Sequence, residues 1–310
     1  MRLIFCGTPH FAVPSLERLV DEGFKVPLVV TQPDRPRGRG MELVASPVKK
    51  SAVRRGIKVI QPEKIKTNED FRREIEELRP EAIIVVGYGR IIPQWMIELP
   101  KHGNINLHAS LLPKYRGAAP IQWAIANGET VSGSTTMRID AGLDTGDILM
   151  QQELPILPDD TAVTYAPRLA AAGATLLATT LRGLDAGTIA PQPQSNVRAT
   201  FAPILKKEDG RVDFQRTATD IVNRLRGFQP WPGAFTAFRG KTLNLYAANG
   251  AVGYSIPMAM LTYTDGKLLA GCGHGTTLEI FELQPEGKKR MSARDFANGN
   301  RLAALEPLGR

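Results

Sequence analysis

The sequence predicts an α/β protein in which a mostly parallel sheet, with helices on both faces, is followed by a small β-barrel. In the first 180 residues, short runs rich in Ile and Val alternate with segments of helical spacing. Beyond a stretch rich in Pro and Gln, the segments become short, alternating and separated by Gly-rich turns, as in small barrels. We therefore expect a Rossmann-like first part and an OB-like second part.

Apolar runs mark the strands of the first part, which are predicted at 2–7, 26–32, 57–62, 82–88, 104–110, 132–139 and 148–156. The predicted helices cover 13–22, 47–55, 67–78, 118–127 and 161–182. Strands that are apolar throughout are buried on both faces, which favours parallel pairing. The second part should begin with a helix at 217–227 and continue with the strands FTAF, LNLY, GKLLAG and TTLEIFEL.

Length and composition predict two globular domains, since the chain has 310 residues, of which 43% are hydrophobic and 23% charged. Residues 187–200 lack periodicity and are interpreted as a linker. The expected boundaries are a first domain at 1–186, a linker at 187–203 and a barrel domain at 204–310. No apolar run approaches the ~20 residues of a membrane span, and two cysteines cannot form a disulfide framework, so we expect a cytoplasmic protein.

The net charge is +8, from 39 Lys and Arg against 31 Asp and Glu. Residues 31–58 contain eight basic residues and two acidic ones, and the second domain is also rich in Lys and Arg. Two basic regions favour a polyanionic partner such as a nucleic acid. A solvated basic surface is the alternative interpretation.

Polar groups at three predicted strand ends are candidates for a ligand site, because ligands of open α/β sheets bind at the carboxyl ends of strands. The three are Gly7-Thr8-Pro9, Gly87-Tyr88-Gly89 and Asn106-Leu107-His108. Asn106 and His108 share a face of their strand, since side chains alternate. A core histidine bonded to backbone is the alternative to a catalytic one. A carboxylate within reach would favour catalysis, and the loop at 140–147 offers three aspartates.

The sequence lacks the motifs of dinucleotide binding, of a serine nucleophile, of a phosphate loop and of a metal site. The chain has neither a G-x-G-x-x-G dinucleotide loop nor a G-x-S-x-G nucleophile elbow. Gly240-Lys241-Thr242 has the ending of a phosphate loop, but Phe235 stands where that loop needs glycine. The acids at 140–147 do not have the spacing of a calcium loop, and the four histidines form no ligand-spaced cluster, so no metal is expected.

Two stretches resemble the folate-dependent formyltransferases: GNINLHASLLPKYRGAAPIQWAI (103–125) and MRIDAGLDTGDIL (137–149). Four more are similar to the branch of that family that acts on methionyl-tRNA: IFCGTPHFAVPSL (4–16), QPDRPRGRG (32–40) with SPVK (46–49), FAPILKKEDGRVDF (201–214) and RGFQPWPGAFT (226–236). The resemblance covers almost the whole chain, and the joint presence of these motifs in this order makes it specific.

The chain departs from the usual family pattern at four positions. His10 stands where the family usually has Asp, and Met41 and Glu42 stand where two lysines usually follow the GRG loop. Trp123 occupies a position that is often Arg. Asn106, His108 and Asp144 match the Asn, His and Asp that the family shares, so the resemblance extends to its catalytic residues.

The resemblance implies an enzyme of translation initiation that transfers a formyl group from 10-formyltetrahydrofolate, a co-substrate, to the α-amine of methionyl initiator tRNA. Asn106 and His108 would donate hydrogen bonds to the oxyanion at the formyl carbon. Asp144 would orient His108 and accept or relay the amine proton. The first domain would then be catalytic and the second would bind tRNA, in a monomer without metal.

The resemblance also implies two sets of binding residues. The expected folate contacts lie at strand ends and in the loops that follow them: Val86, Gly87, Tyr88, Gly89, Arg90, Ser110, Leu111, Leu112, Pro113 and Asp140. The expected tRNA contacts are basic residues of the long loop at 33–45 and of the second domain: Arg35, Arg37, Arg39, Lys206 and Lys207.

Other functions remain as alternatives. A sugar-nucleotide N-formyltransferase of the same superfamily has a similar second domain but lacks the QPDRPRGRG insertion. A glycinamide ribonucleotide formyltransferase lacks the second domain, and a formyl-folate hydrolase needs no basic regions. A noncatalytic RNA-binding module is disfavoured by the intact Asn106, His108 and Asp144.

Overall fold

The computed structural model describes residues 1–37, 42–302 and 304–309, and the chain divides into two units. The first comprises Met1–Pro120, Val131–Pro155 and Ala166–Ala202. The second comprises Ile121–Thr130, Ile156–Tyr165 and Pro203–Arg310. The first unit has an apolar core on each face of its large sheet, and the second unit has a sheet and a core of its own.

The first unit contains a seven-stranded sheet and a short hairpin. In chain order the strands are β1 (Arg2–Gly7), β2 (Lys25–Val30), β3 (Arg35–Arg37), β4 (Glu42–Val44), β5 (Lys58–Ile60), β6 (Ala82–Val86), β7 (Asn104–His108), β8 (Val131–Arg138) and β9 (Ile148–Pro155). The large sheet has the order β5-β2-β1-β6-β7-β8-β9, and β3 pairs with β4 alone. The first five strands of that order are parallel, whereas β8 and β9 are antiparallel. The mostly parallel sheet is confirmed.

The helices that follow these strands are α1 (Val13–Asp21), α2 (Pro47–Arg54), α3 (Glu69–Glu77), α4 (Gln94–Glu98), α5 (Pro120–Ala126) and α6 (Ala162–Asp185). The sheet is covered on both faces because its strands are apolar on both. Leu3 and Phe5 of β1 pack in one core with residues of α1, α2 and α6. Ile4 and Cys6, which alternate with them, pack in a second core with residues of α3 and α4.

The second unit is built on an antiparallel sheet that curls into a ring. Besides most of α5 and the start of α6, its elements are α7 (Ala218–Gly227), β10 (Ala234–Phe238), β11 (Lys241–Ala251), β12 (Met260–Thr264), β13 (Lys267–Gly271), β14 (Thr277–Pro285), β15 (Met291–Ser292), α8 (Ala293–Asn300) and β16 (Glu306–Pro307). The order is β10-β11-β14-β13-β12-β16, and β15 pairs with β14. A bridge between Phe238 and Leu308 joins the two ends, and the Gly309 N–H donates to the Ala237 carbonyl at 2.8 Å. This confirms the small barrel.

Several short elements escaped the sequence analysis, because periodicity needs longer segments. They are the β3–β4 hairpin, α4, β12, β15, α8 and β16. Residues 187–202 form neither a long helix nor a strand, but backbone hydrogen bonds fix them within the first unit. Gln192 exchanges two bonds of 2.8 Å with Ile148, and Arg116 bonds to Thr200 and Ala202. None of the described helices is long and apolar enough to span a bilayer.

A substitution at Gly227 tests how closely α7 packs against α5 in the second unit. An added Cβ would lie 2.6 Å from both the Ala126 nitrogen and the Gln122 oxygen, which are backbone atoms with little freedom to move. We expect Gly227→Ala to lower the free energy of unfolding by about 1–3 kcal/mol. Among the described residues, no atom outside its own helix and chain neighbours lies within 4 Å of a Cβ added to Gly299, in α8, so Gly299→Ala should raise the free energy of unfolding by about 0.4–1 kcal/mol. Urea unfolding of the full chain measures both, and equal effects would contradict this account.

Candidate active site

The candidate site begins at the end of β7, a central strand that pairs with β6 on one side and β8 on the other. Asn106 lies opposite Met137 of β8 and is half-buried. Its side-chain amide makes no hydrogen bond with any of the residues that the structure describes. His108, two residues further on, is 6% exposed. The strand thus offers an unengaged amide and a nearly buried imidazole on the same face.

The orientation of the His108 ring is fixed by a backbone carbonyl. Its Nε2 lies 2.9 Å from the Tyr115 oxygen, and since a carbonyl only accepts, Nε2 is the nitrogen that carries the proton. Tyr115 is held in turn by its N–H, which donates to the Thr200 hydroxyl at 2.8 Å. The other ring nitrogen, Nδ1, faces the Asp144 Oδ2 at 3.7 Å. The histidine therefore has both the backbone bond of a core residue and the neighbouring carboxylate expected of a catalytic one.

Asp144 is positioned by the loop between β8 and β9. Its backbone lies in the left-handed region, with a φ of 51°, and its Oδ2 accepts the Gly117 N–H at 2.8 Å. Asp140, a predicted folate contact, shapes the same loop: its carboxylate accepts the Gly142 N–H at 3.0 Å and the Thr145 hydroxyl at 2.7 Å. Of the three aspartates in this segment, Asp144 is the one that reaches His108.

Two residues that the sequence analysis missed hold this loop. Gln194 donates from Nε2 to the carbonyls of Asp144, at 2.9 Å, and Gly146, at 2.7 Å. Its Oε1 accepts two hydrogen bonds from the Arg116 guanidinium, which is nearly buried and also bonds to the Asn196 side chain. Arg116 and Gln194 thus connect the segment after β7 to the backbone of Asp144. No local pattern marks Gln194, because its partners lie far away in the sequence.

The predicted folate residues after β7 form a tightly bonded turn. Ser110 is fully buried, and its hydroxyl donates to the Lys114 carbonyl at 2.6 Å. The Leu112 N–H donates to the Thr135 hydroxyl at 3.1 Å, and its carbonyl accepts from the Gln151 side chain at 2.9 Å. Leu112 is buried, while Leu111 and Pro113 are half-buried. Side chains of β8 and β9 therefore fix the backbone of this turn.

The predicted folate residues after β6 alternate between core and surface. The side chains of Val86 and Tyr88 are buried in opposite cores, whereas Gly87 and Gly89 are exposed and have positive φ values of 56° and 75°. This segment can thus offer a ligand its backbone and Arg90. The Gln32 side chain holds it by donating to the Tyr88 carbonyl at 3.1 Å and by accepting from Arg90 Nε at 3.2 Å.

The predicted tRNA contacts lie on both units. Arg35 is exposed on β3, and the backbone of Arg37 pairs with Glu42 of β4. Arg39 lies outside the described residues. Lys206 and Lys207 are exposed in the second unit.

The described residues contain no group of three or more His, Cys, Asp or Glu side chains that are placed to hold a metal ion. Both cysteines, Cys6 and Cys272, are free and buried. Burial raises the pKa of the Cys272 thiol to about 11, so this group stays protonated at neutral pH.

Comparison with known proteins decides the family. Residues 1–181 match the family model described as "Formyl transferase", and residues 204–301 match "Formyl transferase, C-terminal domain". The chain belongs to the formyl transferase family. This confirms the resemblance seen in the sequence.

Other members of the formyl transferase family match this chain over its full length. It is 62% identical to the methionyl-tRNA formyltransferase of Koribacter versatilis, with 100% of this chain and 99% of the relative covered. It is 59% identical to that of Acidobacterium capsulatum, with both chains fully covered. Among solved structures, an N-formyltransferase from Helicobacter canadensis, in complex with folinic acid and dTDP-3-aminofucose, superposes with a TM-score of 0.67 at 23% identity, covering 91% of this chain and 98% of that one. That likeness shows the shared fold.

Gln194 gives a test of how the Asp144 loop is held. Gln194→Glu keeps an acceptor for Arg116 but loses both N–H donors and places a carboxylate against two carbonyl oxygens. We expect kcat for formyl transfer to fall by about 10²-fold, because a small displacement of a reacting group has effects of that size. The melting temperature should stay close to that of the unsubstituted chain, since the Arg116 contact survives.

The matched control is Gln192→Glu. Gln192 is exposed and bonds to Ile148 through its backbone, so this variant should have normal kcat. If Gln194→Glu retained full kcat, the contacts of Gln194 with the loop would have no part in positioning Asp144.

Proposed function

We propose that this chain transfers the formyl group of 10-formyltetrahydrofolate to the α-amine of methionine esterified to initiator tRNA. The observation that carries the proposal is full-length identity of 62% and 59% to two relatives named methionyl-tRNA formyltransferase. The constellation of Asn106, His108 and Asp144 supplies groups that suit acyl transfer between two nitrogens. The product initiates protein synthesis.

The reaction requires no covalent enzyme intermediate. The amine nitrogen attacks the formyl carbon, its bond to that carbon forms, and the bond from the carbon to N10 of the folate breaks. The amine must be unprotonated, and a free α-amine has a pKa of roughly 7.7–8.0, which the ester lowers further. The site therefore needs donors for the oxygen that becomes negative and a route for one proton from the amine to N10.

Asn106 donates to the formyl oxygen through its unengaged amide. His108 donates to the same oxygen from Nδ1 when its ring is protonated, since Nε2 is bonded to Tyr115. Asp144, with Oδ2 at 3.7 Å from Nδ1, balances the positive ring, accepts the amine proton and passes it to N10. The Gly117 N–H, at 2.8 Å, keeps this carboxylate in place throughout.

The residues present fit a reduced folate as donor. The exposed backbone of Gly87 and Gly89, the turn at 110–113 and the loop that begins at Asp140 supply hydrogen-bonding groups at the carboxyl ends of β6 and β7. The pterin, a flat ring with donors and acceptors along its edge, suits such a border. The backbone of this border is anchored by four buried side chains, those of Val86, Tyr88, Ser110 and Leu112.

The acceptor is a polyanion, and basic residues occur on both units. Arg35, Arg37 and Arg39 belong to the loop that follows β2, and we assign them to the acceptor end of the tRNA. Lys206 and Lys207 of the second unit contact its phosphates. The enzyme acts as a cytoplasmic monomer.

Transfer to an amino-sugar nucleotide is the alternative. The Helicobacter canadensis enzyme shares the fold with this chain at 23% identity, which supports no common acceptor. The full-length relatives named for methionyl-tRNA favour the tRNA assignment.

An acceptor panel tests the proposed function. The purified chain and 10-formyltetrahydrofolate are combined with initiator methionyl-tRNA, elongator methionyl-tRNA or an amino-sugar nucleotide, and formylated product is measured. We expect the highest kcat/KM with the initiator tRNA. The basic groups on the two units favour a polyanionic acceptor, and the groups at Asn106, His108 and Asp144 act on the α-amine of its methionine. Preferred formylation of the sugar nucleotide would reject the assignment.

Asn106→Ala and His108→Ala test the assigned roles. Loss of one oxyanion donor typically slows the chemical step by ~10²–10³-fold, so each variant should lower the single-turnover rate by that factor. Asn106→Asp keeps the size of the side chain but removes its N–H donors. Its single-turnover rate should fall by at least the same factor. Asn249→Ala alters an exposed asparagine of β11 and serves as the control. Near-normal rates for both alanine variants would refute these roles.

A further inference from the structure

A surface groove of about 660 Å³ on the first unit has no role in the account above. It lies between α1, α2 and the 3₁₀ turn at His10–Ala12 that follows β1. Its apolar lining comes from Val13, Ala45, Pro47 and Val53. Its volume lies within the roughly 300–1,000 Å³ that is usual for ligand sites. We call it the α2 groove.

The wall that α2 forms is held firmly at its amino end. The Ser46 hydroxyl caps the helix by accepting the Lys49 N–H at 3.0 Å, and it lies 2.8 Å from the Thr31 hydroxyl. Nevertheless Val53, on the groove side of this helix, is 61% exposed. An apolar side chain this exposed on a well-anchored helix is available for contact with a ligand.

The polar lining of the α2 groove is basic: His10, Lys49, Lys50 and Arg54. Of these, Lys49 is neutralised by Asp34, whose Oδ2 lies 2.5 Å from Nζ. No carboxylate pairs with His10 or Lys50 among the described residues, and no acidic residue lines the groove there.

Lys50 and Arg54 are four residues apart and therefore share a face of α2. Arg54 reaches Glu17 only at 3.4 Å, and that carboxylate oxygen already accepts the Ser51 hydroxyl at 2.7 Å. Two like charges at this spacing destabilise a helix unless an anion lies between or beside them. Among the described residues, the groove lining thus has one cationic side chain, Lys50, without a carboxylate partner, and a second, Arg54, that shares its partner Glu17 with Ser51.

The position of the groove in the strand order indicates whether it lies on the side of the folate or on the side of the acceptor. It opens beside the carboxyl end of β1, and the parallel strand β7 brings His108 to the same edge of the sheet. The proposed folate contacts follow β6, β7 and β8, on one side of β1 in the strand order. The groove and the hairpin that carries Arg35 lie on the other side, that of β2.

We infer that the α2 groove binds the sugar-phosphate backbone of the acceptor RNA, with Lys50, Arg54 and His10 facing phosphates and the apolar lining against ribose and base. This inference rests on the proposed function, because it assumes that the acceptor is an RNA. It adds a phosphate subsite on α2 to the loop and second-unit contacts assigned above.

The test measures binding of initiator methionyl-tRNA to the full chain by fluorescence anisotropy, over a range of KCl concentrations. The variant is Lys50→Gln with Arg54→Gln. The control, Lys25→Gln with Lys101→Gln, makes the same charge change in exposed lysines at the opposite, amino edge of the sheet. His10→Asp is a second variant, which places an acid in the groove without altering α2.

We expect the α2 variant to raise Kd about tenfold at low salt and to reduce the slope of log Kd against log salt by about one to two, since each lost phosphate contact removes ~0.7–0.9. The control should change this slope by less than half of the value that corresponds to one phosphate contact. His10→Asp should also raise Kd for the tRNA. The KM for 10-formyltetrahydrofolate should be unchanged in all three.

Two outcomes overturn the inference. Equal changes in the α2 variant and the control, including no change in either, mean that the groove has no specific contact with RNA. A raised KM for the folate with an unchanged Kd for tRNA assigns the groove to the anionic tail of the folate instead. Formylation of the tRNA by the unsubstituted chain is measured in parallel, so that failure of the proposed function is recognised separately from failure of the groove.

Discussion

The hydrogen bond from His108 to the Tyr115 carbonyl decides which ring nitrogen faces the proposed site of formyl transfer. With the Nε2 proton held by that carbonyl, Nδ1 is the nitrogen that points to Asp144. The role proposed for the carboxylate follows from this choice, because it lies beside the ring nitrogen that is proposed to donate to the formyl oxygen.

The supporting contacts explain how a loop residue can have a defined position. Asp144 lies in a strained, left-handed conformation within a glycine-rich segment, and such segments are mobile unless they are bonded. Here Gln194 binds the loop backbone at two carbonyls, and the Gly117 N–H binds the carboxylate itself. The site therefore combines a strand, which fixes Asn106 and His108, with a loop that is fixed from outside.

The sequence predicts the parts of this protein that depend on local pattern. Apolar runs locate the strands, and two-residue alternation places Asn106 and His108 on one face. The resemblance to the family, and no local pattern, selects Asp144 among the three aspartates, since all three lie in one eight-residue loop. Gln194 and Arg116 could not be found in this way, because their partners are distant and amides carry no periodic signal. The hairpin at β3–β4 and the two-residue strands β15 and β16 are too short to show a period.

The guanidinium of Arg116 is enclosed by the amide oxygens of Gln194 and Asn196. Amides do not titrate, whereas a carboxylate in their place would lose its charge in acid. The contacts of Arg116 with Gln194 and Asn196 therefore do not depend on proton concentration. A dependence of turnover on acidity then arises elsewhere than in this part of the support for the Asp144 loop.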